Sequence, residues 1–219
     1  MSGAGGPINY DGIQLCGVTT AANFGGQRIR WPQPDVSWGI AAGLPGFAAD
    51  SFRAAIAEGF ARWSRVCGVL PKFVEDAGRA NIVVGLQTIG PGGVLADCEL
   101  PVQQSMSQRC RMRIDTAEAW CISDNPPPNK IDLVRTVCHE LGHGLGLDHL
   151  GGGNLMAPTY STQIKDPQAG DIAEMVARYG LPVAQPTPTD PPATADDWAA
   201  LVSLLEQGAR IVARIGRQS

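Results

Sequence analysis

All three histidines of the 219-residue chain fall within the stretch HELGHGLGLDH, residues 139–149. No other feature constrains the fold as strongly. His139 and His143 are four apart, which on a helix is an axial rise of about 6 Å, so both imidazoles leave one face and can meet one ion. Glu140 leaves an adjacent face, close enough to touch a water on that ion. Gly146 can end the helix with positive φ because it has no Cβ, and the returning chain then brings in His149. Three neutral imidazoles and one open position make a catalytic zinc arrangement; a structural zinc usually closes with four protein ligands, often thiolates. Such an ion lowers the pKa of its water to about 7 and polarises a substrate carbonyl, while Glu140 takes the proton and passes it to the leaving amine. A bare HExxH recurs by chance on surface helices. The extension to HExxHxxGxxH, with glycine at the turn, is what makes the motif specific.

The rest of the chain is ordinary globular material, 44% hydrophobic and 17% charged, with 27 Gly and 17 Pro that imply much loop. A net charge of −4 argues against a broad nucleic-acid or anionic-membrane footprint. No apolar run approaches the ~18–20 residues of a membrane span. The opening MSGAGGPINYDG has neither a basic n-region nor an apolar h-region, so it does not read as a secretory signal. Six cysteines, at 16, 67, 98, 110, 121 and 138, form an even set that favours disulfides and an oxidising compartment. The alternative is buried thiols in a cytosolic protein.

Residues 1–26 are Gly-rich without periodicity and read as an extended arm. Strands are predicted at 34–40, 71–76, 80–86, 94–100 and 111–115. AADSFRAAIAEGFARWSRVCG predicts a helix, with Phe52, Ile56, Phe60 and Trp63 at helical spacing and Asp50 or Ser51 as its cap. After a Pro block, Val134, Val137, Cys138, Leu141 and Leu145 form one apolar stripe on a helix that should stop near Gly144 or Gly146. A further helix at 167–180 has Ile172, Met175, Val176 and Tyr179 on its inner face. Residues 182–195 are a Pro-rich linker. Residues 196–219 predict an amphipathic helix, with Thr194 and Asp197 in capping-box positions. Its stripe of Trp198, Leu201, Val202, Leu205, Val212 and Ile215 is too apolar to leave in water. The helix is expected to dock on its own domain, self-associate or attach the chain to a larger body.

The motif resembles that of the metzincins, and within that clan the matrixins, the matrix metalloproteinase type. NLMAPTY resembles the Met-turn, which puts Met156 beneath the zinc, and Pro158 and Tyr160 in the outer wall of the S1′ substrate pocket. VLADCELP resembles the edge strand onto which substrate adds, RIDTAEAW the segment leading to the catalytic helix, and GDIAEMVARYG the final helix. The likeness covers residues 27–181. It implies an α+β zincin fold, in which a twisted mixed five-stranded sheet carries two long helices plus a C-terminal-subdomain helix. It also implies one catalytic Zn2+, a zinc-dependent endopeptidase acting on protein or peptide, and an extracellular or exported location.

Two departures from the family pattern matter, together with one further match. Matrixins usually carry a second, histidine-bound zinc, and no histidine remains here to hold it; Asp97 and Cys98 stand in the edge strand instead. A Cys98–Cys110 disulfide is one candidate to pin the same region instead. Asp115 and Glu118 match positions that bind calcium in matrixins, the alternative being two solvated carboxylates. Cys16-Gly17-Val18 resembles the latency segment whose thiolate occupies the fourth zinc position. The flanking residues of that segment are missing, and a disulfide cysteine in a loop is the alternative. A second class of function is a structural or attachment subunit of an assembly such as a virion or surface layer. Glu140 discriminates, because a retired enzyme has no need of a general base; an active protease mounted on such an assembly satisfies both.

Overall fold

Phe52, Ile56, Phe60 and Trp63 line one side of helix α1 (Ala49–Ser64), and all four are buried. The helix starts at Ala49, ahead of both expected caps. Ala48 holds the N-cap position without a side-chain bond, and Asp50 in the first turn pairs instead with Arg53 at 2.9 Å. The computed structural model describes residues 12–16, 28–90, 93–101 and 109–183. Within them, β1 (Asp35–Ile40), β2 (Leu70–Phe73), β3 (Ile82–Gln87), β4 (Ala96–Cys98) and β5 (Cys110–Asp115) form one sheet in the order β2-β1-β3-β5-β4. Three of the four pairings are parallel; the fourth, at the edge, sets β4 antiparallel to β5. Each strand falls on its predicted segment to within a few residues; β1 to β4 are shorter than predicted, and β5 is one residue longer. β2 stops at Phe73 because Asp76 turns the chain, its carboxylate accepting from the Gly78 N–H at 2.9 Å.

A two-residue ribbon, β6 (Trp120–Cys121) with β7 (Ile131–Asp132), leads into helix α2 (Leu133–Gly144). Asp132 caps α2 by accepting from the Val134 N–H at 3.0 Å. Helix α3 spans Ala169–Tyr179. The core joins sheet residues such as Val36, Trp38, Ile82 and Met112 to Phe52, Ile56, Val137 and Leu141 of α1 and α2. The two helices approach closely at Gly59, where a Cβ would stand 2.8 Å from Val137 Cγ1. The Trp63 indole N–H spans the contact to the carbonyl of Cys138 at 2.8 Å. This is the α+β arrangement expected, with α2 held from both sides.

The disulfide expectation is corrected: no cysteine is disulfide-bonded, and all but Cys121 are buried as core residues. Register explains the failure of the Cys98–Cys110 pair. Cys98 stands opposite Met112, so Cys110 lies one side-chain row further along β5. Burial pushes the Cys110 thiol up to about 12 and the Cys67 thiol up to about 11, which keeps both protonated. Residues 1–11 and 17–27 of the arm, nearly all of the Pro-rich linker and the helix expected at 196–219 lie outside the described residues.

Candidate metal centre

The last two turns of α2 carry His139, Glu140 and His143, all three buried. The His139 Nδ1 faces the carbonyl of Leu155 at 2.8 Å, and the His143 Nδ1 faces that of Leu147 at 2.8 Å. A carbonyl only accepts, so each Nδ1 carries the proton and each Nε2 presents a lone pair. Those two Nε2 atoms stand 3.2 Å apart. Two facing lone pairs repel unless a cation lies between them. The His149 Nε2 is a third buried nitrogen with no hydrogen-bond partner in the protein. Ligand atoms of Cys16, His139, His143 and His149 all lie within 4.8 Å of one another. Burial pushes all three imidazoles below their ordinary range, His143 to about 3. Neutral imidazole is the form that binds metal. The donor set therefore fits a single borderline-soft cation such as Zn2+.

Met156 is fully buried and lies against Gly142 of α2. A Cβ on Gly142 would run into the Met156 sulfur, so only glycine lets the helix sit on that turn. The turn itself is pinned by Asp171 in the first turn of α3. Its carboxylate accepts from the backbone N–H groups of Leu155 at 2.7 Å, Met156 at 3.1 Å and Gln168 at 2.7 Å. The sequence offers Asp171 only as an acid near a helix start, and its reach to residues 155–156 leaves no local signal.

Cys16 arrives from the arm. Residues 12–16 lie between residues 95–96 and residues 158–160, bonded to both. Gln14 bridges Thr159 in antiparallel fashion, and Cys16 bridges Ala96 in parallel fashion. The Leu15 N–H donates to the Pro158 carbonyl at 2.9 Å, and the Leu15 carbonyl accepts from Leu95 and Ala96 at 3.2 Å. The Cys16 Sγ donates to Glu140 Oε2 at 3.3 Å, while Oε1 is buried without a hydrogen-bond partner. Burial holds the Glu140 carboxyl well above the usual carboxylate range, against the pull of the Cys16 contact. Pro158 is exposed, and Tyr160 is buried with its hydroxyl accepting from the Asp132 N–H at 3.1 Å. The Arg135 guanidinium, missed in the sequence, lies 4.3 Å from the Tyr160 ring.

Asp115 and Glu118 do not join this cluster. Asp115 is fully buried and accepts from the N–H groups of Ile89 at 3.0 Å, Gly90 at 3.1 Å and Ala117 at 3.0 Å. It is a loop anchor, so the reading of two solvated carboxylates is corrected. Glu118, also buried, lines a cavity of about 350 Å³ with Phe47, Trp120 and Lys130. Among the described residues, the Cys16 and histidine group is where three or more metal-ligating side chains converge.

The sequence model of the Matrixin family matches residues 30–180. Among similar proteins, Stromelysin-3 of Mus musculus is 29% identical over 192 residues, covering 81% of this chain and 37% of its own length. Matrix metalloproteinase-C of Caenorhabditis elegans is 28% identical over 192 residues, covering 77% of this chain and 32% of its own. Metalloendoproteinase 1 of Glycine max is 28% identical over 113 residues, covering 46% of this chain and 35% of its own. The chain thus spans about a third of the length of the curated relatives it matches. The match takes in β1 to α3, and with them every histidine of the cluster; this chain belongs to the matrixin family.

Proposed function

We propose that this chain is a zinc-dependent endopeptidase held latent by its own arm. The observation that carries the reading is the pair of Nε2 lone pairs 3.2 Å apart, with the unpartnered His149 nitrogen beside them. His139, His143 and His149 hold the metal. Zinc bound there supplies Lewis acidity, bringing water to a pKa of about 7 and polarising a peptide carbonyl. Glu140 is the general base: it takes the proton of the attacking water and returns it to the leaving amine. Met156 supports the ligands from below as packing. Pro158 and Tyr160 belong to the wall of the S1′ pocket.

Cys16 is the latency ligand. A thiolate is a better zinc ligand than water, and the metal itself depresses the thiol pKa. The same side chain touches Glu140, so the arm covers metal and base together. The backbone bonds of residues 12–16 to 95–96 and 158–160 support an extended peptide as substrate, because both segments offer main-chain groups to a chain laid between them. Asp115 accepts from three amide donors and acts here as a loop anchor, and with Glu118 it is a candidate calcium ligand beside that role. The amphipathic stripe at 196–219 serves self-association or attachment, and the location is extracellular or on an exported assembly. A purely structural subunit is disfavoured by Glu140 standing beside the histidine cluster. The test is metal analysis of protein purified without chelator, together with cleavage of an unfolded protein by the arm-freed wild type and Glu140→Ala. One zinc per chain and activity only in the wild type are expected. Absence of stoichiometric zinc refutes the reading.

A further inference from the structure

We propose that Trp31, Arg178 and Tyr179 are positioning residues that set the third histidine and the ring of the second. The inference rests on the reading of His139, His143 and His149 as metal ligands. It begins with the carbonyl groups that a helix end leaves without partners. At the end of α2, Leu141 O accepts from the Leu145 N–H, Gly142 O from the Leu147 N–H and His143 O from the Gly146 N–H, all at 2.8 Å. Gly144, Leu145 and Gly146 are buried, and their three carbonyls point out of the helix. Each is met by a side chain from outside the motif. The Trp31 indole N–H donates to Gly144 O at 2.8 Å. The Tyr179 hydroxyl donates to Leu145 O at 2.8 Å. The Arg178 Nε–H donates to Gly146 O at 3.1 Å.

The three donors are themselves joined. The Tyr179 oxygen accepts from the Trp31 backbone N–H at 3.1 Å, and Arg178 Nε also reaches Ile29 O at 3.1 Å. Arg178 Nη1 is held by Glu174 at 2.7 Å. Residues 29–31 therefore lie across the turn as a strap, clamped by the last turn of α3. Gly146 has φ +103°, and a Cβ there would run into the Ile29 carbonyl, so the strap and the turn are in direct contact.

The turn that this network fixes runs from His143 to His149. It also contains Leu147, whose carbonyl orients the His143 ring. A buried carbonyl left without a partner costs more than a single hydrogen bond contributes, and the turn would rotate to find one. Rotation moves Leu147 O and the chain leading to His149 together. Outer partners of metal ligands commonly change metal affinity by ~10–100-fold.

The test uses the full chain and three readouts: zinc release to a competing chelator, the visible spectrum of the cobalt(II)-substituted protein, and melting temperature. Tyr179→Phe keeps the ring and Trp31→Phe keeps an aromatic side chain of smaller size, and each removes one donor. Both should release zinc at least ~10-fold faster and shift the cobalt spectrum. Ser37→Ala, which removes the bond from Ser37 Oγ to Asn81 at 2.7 Å on β1, controls for lost stability alone and should leave release and spectrum unchanged. If the two ring variants only lower the melting temperature, or if Ser37→Ala accelerates release equally, the network is structural and the proposal is overturned. His149→Ala separates the proposal from the reading beneath it. Fast release there with wild-type release in Trp31→Phe and Tyr179→Phe overturns the positioning role alone, whereas wild-type release in His149→Ala overturns both.

Discussion

Glu140 has one carboxylate oxygen on Cys16 and the other buried without a hydrogen-bond partner, an arrangement that folding alone does not favour. Glu140→Gln keeps the shape and removes the base. It should retain zinc and lose at least ~10²-fold in turnover once the arm is released, the usual scale for general-base removal. Metal analysis and hydrolysis of an unfolded protein check the two halves, and unchanged turnover would assign the base elsewhere. Gly142 is the other residue on which the centre depends. Alanine there gains about 1 kcal/mol of helix propensity but meets Met156 and stands 3.0 Å from Trp63 Cζ2. Overpacking against such walls costs about 1–3 kcal/mol, so Gly142→Ala should lower the denaturation midpoint and loosen zinc. A midpoint at or above that of the wild type would mean that Met156 swings aside freely.

The arm is an element with no periodicity of its own, held by pairing to two distant segments. If it silences the enzyme through Cys16, then Cys16→Ser should raise the peptidase activity of the intact chain, and removing residues 1–26 should do the same. A serine variant no more active than wild type would leave the arm as packing only. The contrast with α2 shows what sequence can carry. His139, Glu140 and His143 were legible because helical spacing is local, and Gly146 because positive φ needs glycine. The path of residues 12–16 was not, since it depends on bonds to 95–96 and 158–160; only likeness to a family suggested where Cys16 goes. The cysteine count misled for a related reason: Cys67, Cys98, Cys110 and Cys138 serve as small apolar core residues, and register keeps Cys98 opposite Met112. Asp171 is an acid in a helix first turn until the fold brings residues 155–156 to it.

At the scale of the whole molecule, the match to the family ends at residue 180, before the Pro-rich linker and the apolar stripe at 196–219. Deleting 196–219 should leave peptide cleavage unchanged and alter mass in solution or attachment, because a Pro-rich spacer uncouples the two parts. Sedimentation together with a peptide assay checks this, and a deletion that no longer folds would place the stripe in the catalytic core. A last consequence comes from β4, three residues long, with β5 on one side and the arm bridging Ala96 on the other. An edge of that length seats one visitor. While the arm is tethered, its effective concentration at the seat is in the millimolar range, which dissolved substrate does not match. Once the chain is cut between Cys16 and Arg28 the arm becomes a free peptide, competing at whatever concentration the enzyme itself has. Freshly cut protease should therefore be sluggish in concentrated solution and gain specific activity on dilution, as its own fragment leaves and does not return.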